Sequence, residues 1–269
     1  MNALDYSGNA ERFSGFAAQY EAVRPQPPPV LREILCALAE TERPALVVDL
    51  GSGTGLSTRF WQNHAARVVG IEIAEDMRRE AQAQTRAAHI EYRAGAAHDT
   101  GLPDHCADIV TCSQSFHWME PRSTLREVAR ILRRGGVFAA YDCDWPPVTP
   151  SWQADAAWDE TMERVWNLER ALELRHAVQQ WRKEEHLANL QASGHFRFAR
   201  EFVVHHVEQG NAERLVGLAL SQGGTRALLK HGMSEDEIGI PRLREICERT
   251  LGAEMKPWYW SYRARVGIV

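Results

Sequence analysis

Short apolar runs alternate with helical periodicities through the first half of the chain. Leu46–Leu50 and Arg67–Glu72 read as buried strands, too short for helices and bounded by turn residues. A helix around Val30–Glu40 leads into the first strand, and another begins at about Leu56. Leu125, Val128, Ala129 and Leu132 recur at i, i+3, i+4 and i+7, one face of an amphipathic helix. Gly135 and Gly136 should stop that helix before a strand over Val137–Tyr141. Strand–helix alternation of this kind predicts a mostly parallel sheet with right-handed crossovers.

After Asp144 the pattern changes. Residues 151–192 read as helical and carry Trp152, Trp158, Trp166 and Trp181. Phe196–Val207 reads as a strand, residues 211–231 and 234–251 as helices, and Trp258–Val269 as a closing strand. About 50 residues separate these last two strands, which is long for a structureless loop and points to an inserted helical element. Residues 1–30 are polar and punctuated by Pro25, Pro27, Pro28 and Pro29, an arm rather than a core element.

Candidate chemistry concentrates where the first strand ends. Gly51-Ser52-Gly53-Thr54-Gly55 is a turn in which missing Cβ atoms allow sharp bends and close approach of a ligand. Its spacing is G-x-G-x-G, whereas the dinucleotide fingerprint is G-x-G-x-x-G. Asp49, two residues before the turn, would repel a pyrophosphate seated on the helix N-terminus and attract a ligand bearing an ammonium and a sulfonium. S-adenosylmethionine is such a ligand. Glu72 ends the second strand 17 residues after Gly55, near the offset at which an acid meets ribose hydroxyls.

The ordered motifs are Val47–Gly55, Gly70-Ile71-Glu72, Gly95-Ala96-Ala97, Leu102-Pro103, Asp108–Trp118 and Leu132–Gly136. With them, residues 10–145 resemble the class I S-adenosylmethionine-dependent methyltransferases. Within that family they are most similar to the small-molecule branch of ubiquinone-, menaquinone- and trans-aconitate-type enzymes. The resemblance implies a Rossmann-like sheet of seven strands, mostly parallel with an antiparallel last strand, helices on both faces and helical lid insertions. It implies a single domain over 1–269. A cofactor-binding core spans 36–145 with 195–207 and 257–269, an arm spans 1–35, and lid insertions span 146–194 and 208–256. Ligands of open α/β sheets bind outside the carboxyl ends of the strands, so the insertions should build the acceptor pocket.

The resemblance also implies site roles. Asp49, Gly51, Ser52, Gly53, Gly55 and Glu72 surround the cofactor. Gln114 and Ser115 sit where its methionine part is oriented. Tyr20 and Arg24, in the element Tyr20–Pro25, fold over it, the guanidinium being suited to its carboxylate. Where many relatives have Gly-Asp-Ala, this chain has Gly95, Ala96 and Ala97. The acid that accepts from the adenine amino group is thus replaced at Ala96; backbone near Ala97, or His98 or Asp99, is available to substitute, and without them cofactor affinity should be modest.

Methyl transfer from a sulfonium needs positioning more than side-chain chemistry. His117, just past the fourth strand, is the candidate general base if the acceptor loses a proton; packing or capping is its other reading. Trp118 and Trp145 lie where they could stack on a planar or cationic acceptor. His205 and His206, with Asp142 and Asp144, do not make a metal site, because adjacent strand residues point to opposite faces and no third ligand has the usual spacing.

Composition narrows the class. The 269 residues are 44% hydrophobic and 25% charged, ordinary for a globular chain. A net charge of −5 argues against an extended nucleic-acid surface. No apolar run approaches a membrane span. Five scattered cysteines without a C-x-x-C suit a reducing cytoplasm. The sequence therefore reads as a cytoplasmic methyltransferase, monomer or homodimer, using S-adenosylmethionine and releasing S-adenosylhomocysteine. Its acceptor is expected to be a small molecule, with no nucleic-acid or membrane partner. A catalytically idle cofactor-binding protein and an NAD-dependent dehydrogenase are the alternatives.

Overall fold

In a computed structural model, which describes Gly8 and residues 15–175 and 178–269, the apolar runs become one seven-stranded sheet. The strands are β1 (Val47–Leu50), β2 (Val68–Glu72), β3 (Ile90–Ala94), β4 (Ala107–Ser113), β5 (Leu132–Cys143), β6 (Phe198–Gly210) and β7 (Lys256–Ile268). Their order is β3-β2-β1-β4-β5-β7-β6. The first five are parallel, and β7 is antiparallel to β5, with Val137 opposite Ile268 and Cys143 opposite Tyr262. This is the Rossmann-like, mostly parallel sheet that the alternation predicts. β1 and β2 are buried along their whole length, which explains why they read as continuous apolar runs rather than alternating ones.

The chain divides into two compact units. The first holds residues 26–143, 179–204 and 262–269. Its core is built from Val48, Leu50, Val69, Ile71, Val110, Phe138 and Ala140 of the sheet, with Leu125, Val128 and Ile131 of the helix Pro121–Ile131. That helix begins at Glu120, whose carboxylate accepts from the amides of Arg122 and Ser123. It ends at Ile131, earlier than the glycine pair suggests. Leu132 is fully buried and pairs with Ala107, so Gly135 and Gly136 lie inside β5, beside an irregularity in its register with β4.

The second unit holds residues up to Pro25, 144–178 and 205–261. Its longest helix, Trp152–Ala171, is capped by Ser151, whose hydroxyl accepts from the Ala154 amide. The expectation of helix throughout 151–192 is corrected here. Glu173 adopts φ +53°, while the amides of Glu173 and Leu174 donate to the carbonyls of Arg170 and Glu169. This is a Schellman stop built without glycine, and among the described residues α-helix resumes at His186–Ala192, after a 3₁₀ turn at Lys183–Glu185. The helices expected over 211–231 and 234–251 are each broken once. One break precedes Gly223; the other is at Gly239, φ +96°, ahead of Pro241.

The arm also differs from expectation, as far as it falls within the described residues. Ala17–Val23 is a helix, and Phe16 before it is 4% exposed, packed edge-on to Tyr20 and beneath the Arg226 guanidinium. Residues 1–7 and 9–14 of the expected arm lie outside the described residues. No helix of the described residues is long and apolar enough to cross a membrane.

Candidate active site

The carboxyl ends of β1, β2 and β4 converge on the glycine turn. Gly51, Gly53 and Gly55 all take positive φ, at 66°, 54° and 86°. A Cβ on Gly51 would lie 2.7 Å from Ser115 Cβ and 2.8 Å from Met119 Cε, so glycine is required there sterically as well as conformationally. The turn is docked on β2 by its own amides. Gly51 and Ser52 N–H donate to the Ile71 carbonyl, Gly53 N–H to Glu72 Oε2 at 2.9 Å, and Gly55 N–H to Ser52 O. Four of its five amides are thereby engaged before any ligand arrives.

Asp49 is fully buried below the turn. Its carboxylate accepts from Ser57 Oγ at 2.6 Å, Thr58 Oγ1 at 2.7 Å and Thr111 Oγ1 at 2.9 Å. Burial pushes its pKa up, and the three hydroxyls oppose that shift. The sequence suggests an acid at an open strand mouth in direct reach of a ligand. The fold instead closes three hydroxyls over it, so any influence on a ligand is through its field.

Glu72 is also buried, and its two oxygens are divided: Oε2 accepts from Gly53 N and Oε1 from Ala74 N at 2.9 Å. Burial raises its pKa, against the lowering effect of these amides. A carboxylate oxygen has a second acceptor site, so each can take a further hydroxyl. Ser52 Oγ is buried without a hydrogen-bond partner. Ser115 Oγ donates to Leu50 O at 2.7 Å, pinning the end of β4 to β1, and Gln114, at φ +54°, turns its amide to Cys143 Sγ. Ala96 and Ala97 belong to a tight turn closed by Asp99 N–H donating to Ala96 O, with Asp99 itself exposed.

His117 lies in the 3₁₀ turn Phe116–Trp118 after β4, 5% exposed. Its Nδ1 faces Asp142 Oδ1 at 3.5 Å. Lys183 Nζ is 2.8 Å from the same oxygen, and Arg265 reaches Asp142 Oδ2 at 3.4 Å while donating to Glu201 Oε2 at 2.7 Å. His186, fully buried, packs its ring on Phe116 at 4.7 Å with neither nitrogen hydrogen-bonded. His117, Asp142 and His186 are the one group among the described residues with metal-ligand geometry, their donor atoms lying within 4.8 Å of one another. The surroundings do not fit a cation, because Lys183 and Arg265 already place two positive charges on the carboxylate. Nothing in the sequence marks Lys183, His186 or Arg265, since they join the cluster from distant segments.

Tyr20 and Arg24 belong to the helical unit. The Arg24 guanidinium lies over the Tyr20 and Trp145 rings and donates to Ser221 Oγ and O. Trp145 is also stacked on Trp158 and edge-on to Trp260, the environment of a packing residue. His205 Nδ1 meets Ser261 Oγ at 3.1 Å, and His206 faces Glu208.

Residues 48–140 match the methyltransferase domain family. The chain is similar to an uncharacterized methyltransferase of Mycobacterium tuberculosis, 35% identical over 127 residues, covering 46% of this chain and 49% of that protein. It is also similar to a malonyl-[acyl-carrier protein] O-methyltransferase of Pseudescherichia vulneris, 29% identical over 126 residues and covering 45% and 49%. The chain thus spans about half the length of the curated relatives it matches. In fold it is similar to the solved structure of a candidate type II methyltransferase from Anaeromyxobacter dehalogenans. That likeness has a TM-score of 0.62 at 21% identity and covers 91% of this chain and 97% of the other. Sheet order and matched sequences agree: residues 48–140 are similar to a methyltransferase domain, set in a sheet of the methyltransferase fold.

Proposed function

We propose that this chain transfers the methyl group of S-adenosylmethionine to a small-molecule acceptor and releases S-adenosylhomocysteine. The observation that carries this reading is the glycine turn between two buried carboxyl groups with four of its five amides already engaged. Such a turn has little to offer a pyrophosphate, which needs free N–H donors and no neighbouring anions. It suits a phosphate-free nucleoside ligand. In this reading Glu72 accepts from the ribose diol with its remaining lone pairs. Gly51, Gly53 and Gly55 allow close approach, Ser52 presents its unpartnered hydroxyl, and Asp49 favours the cationic donor from below. Gln114 and Ser115 frame the methionine part, Ala96 and Ala97 meet the adenine edge through backbone, and Tyr20 and Arg24 take the closing role implied by resemblance.

Methyl transfer is an in-line displacement with a good thioether leaving group. Holding donor and acceptor in line supplies on the order of 7–11 kcal/mol of the barrier. The segments 146–194 and 208–256 are the proposed source of acceptor specificity. Five free cysteines suit a reducing cytoplasmic setting, with a monomer or homodimer as the proposed state.

Calorimetry with S-adenosylmethionine, S-adenosylhomocysteine and NAD tests the cofactor. Binding of the first two and not the third is expected, and binding of NAD alone would overturn the reading. Ala96, which removes the usual adenine acceptor, favours one second reading, an idle cofactor-binding protein. Thioether release across an acceptor panel separates an enzyme from that.

A further inference from the structure

We propose that His117 accepts the acceptor's proton and that Asp142 positions it, so that this site serves acceptors methylated on an oxygen or nitrogen that carries a proton. The proposal rests on the methyl-transfer reading above. β4 and β5 are parallel neighbours, with Ser113 opposite Tyr141. His117 and Asp142 therefore leave adjacent strands at the same carboxyl edge that holds the glycine turn, the edge at which ligands of open α/β sheets bind.

The imidazole faces Asp142 on one side. Nδ1 of His117 is among the buried, unpartnered polar atoms and Nε2 is not. Nδ1 is the nitrogen turned to Asp142, and in the proposal Nε2 is the one that meets a substrate. At 3.5 Å the pair is longer than a hydrogen bond, and the proposal requires it to tighten in the substrate complex, as catalytic pairs commonly do. Asp142 cannot turn away easily, because Lys183 and Arg265 hold it from the other side and Arg265 is itself anchored by Glu201. The segment that brings Lys183 and His186 is tied to the same turn by Trp181 N–H donating to His117 O at 2.8 Å.

The charged and titratable groups facing His117 are Asp142 from β5, Lys183 and His186 from the 179–192 segment and Arg265 from β7, with Glu201 of β6 behind Arg265. Burial holds His117 below the ordinary imidazole pKa, with Lys183 acting in the same direction and Asp142 opposing. Burial takes His186 further down, to about 4. Both rings therefore favour the neutral form at pH 7, the form in which His117 can take a proton. Burial would raise Asp142, but His117 and Lys183 hold it well below the usual carboxylate range, so it stays an anion facing Nδ1–H.

The step balances simply. A lone pair on the acceptor heteroatom forms the new bond to the methyl carbon as the carbon–sulfur bond breaks. The bonding pair returns to sulfur, which leaves as a neutral thioether. The acceptor's proton passes to His117 Nε2 and afterwards to water, while Nδ1–H stays directed at Asp142.

The test is the tautomer and titration of His117 in the full chain labelled with ¹⁵N-histidine, the signal being assigned by its loss in His117→Gln. A neutral ring protonated on Nδ1 at pH 7.5 is expected. A ring protonated on Nε2, or an imidazolium at that pH, overturns the proposal. Lys183→Met removes a cation from a half-exposed position and should raise the His117 midpoint. The acid limb of kcat, measured with phenol as acceptor, should move up with it, and an unmoved midpoint would leave His117 a packing residue. His117→Gln should lower kcat with phenol by about 10²–10⁴-fold and much less with iodide, which has no proton to lose. Equal losses with both overturn the proposal. Calorimetry on each variant keeps the two readings apart: if the unaltered chain fails to bind S-adenosylmethionine, the cofactor reading has failed, not the His117–Asp142 pair.

Discussion

Asp49 and Gly51 are two residues apart and constrain the site in different ways. Removing the Asp49 carboxylate leaves three buried hydroxyls without their common acceptor. Asp49→Ala should therefore cost about 3 kcal/mol or more, since each buried polar group left unpaired costs about 1–3 kcal/mol. Asp49→Asn keeps the volume and part of the hydrogen bonding, so a smaller stability loss is expected with a larger loss of cofactor affinity. Urea unfolding and calorimetry on the same two variants separate these effects, and equal affinities for Asp49→Asn and the unaltered chain would remove the electrostatic role.

Gly51→Ala combines a backbone effect with a steric one. The new methyl enters a φ of +66° and meets Ser115 and Met119 below 3 Å. A loss of about 1–3 kcal/mol is expected, together with weaker ligand binding, because Ser115 can then no longer hold Leu50 O unchanged. Gly53, with nothing within 4 Å of its would-be Cβ, should show the conformational cost alone. The difference between the two variants in a urea series measures the steric part.

At the scale of elements, the Glu127 carboxylate helps fasten the helix Pro121–Ile131 to the loop before β4. Glu127 Oε1 accepts from the Thr100 amide at 2.9 Å and hydroxyl at 2.6 Å, and Arg130 donates to both of its oxygens. Burial would raise its pKa, but Arg130 and Thr100 bring it down to about 2. A depressed folded pKa stabilises the protein above the ordinary carboxylate value of 4.5. That contribution is lost as pH falls from there towards about 2. Urea midpoints between those limits should fall more steeply for the unaltered chain than for Glu127→Gln. Parallel curves would show that the pair contributes nothing in solution.

The elements also show where periodicity misleads. Residues 170–175 have helix-forming side chains, yet the chain stops there because paired hydrogen bonds to Glu169 and Arg170 satisfy the last carbonyls. Gly239, two residues before Pro241, breaks a stretch whose apolar spacing reads as one continuous helix. Leu132 continues the helical pattern of Leu125 and Val128 and is nonetheless strand, since pairing with Ala107 buries it completely.

For the whole molecule, ligand-linked stability is the broadest check. A ligand that binds only the folded state at a hundred times its Kd stabilises by about 2.7 kcal/mol. For a chain of this size that corresponds to a rise of roughly 5–10 °C in the unfolding midpoint. S-adenosylmethionine and S-adenosylhomocysteine should each produce such a rise, NAD should not, and Glu72→Ala should reduce it. A shift unaffected by Glu72→Ala would remove that residue from the binding set. The acceptor is a separate matter, because the curated relatives match less than half of this chain.

What the chain determined by itself is local: short apolar runs that become buried strands, glycines that alone tolerate the left-handed turn, and acids at fixed offsets from it. These features are legible because backbone sterics and hydrophobic period act over a few residues. Asp49, Glu72 and the turn between them could be found that way, although not that hydroxyls enclose Asp49 or that the turn's amides are already engaged. The cluster around Asp142 could not. His117, Lys183, His186, Glu201 and Arg265 are drawn from β4 to β7 and from the segments between them, and only strand order brings them together. Their protonation is likewise set by burial and by neighbours distant in sequence, quantities that exist only once the sheet has formed.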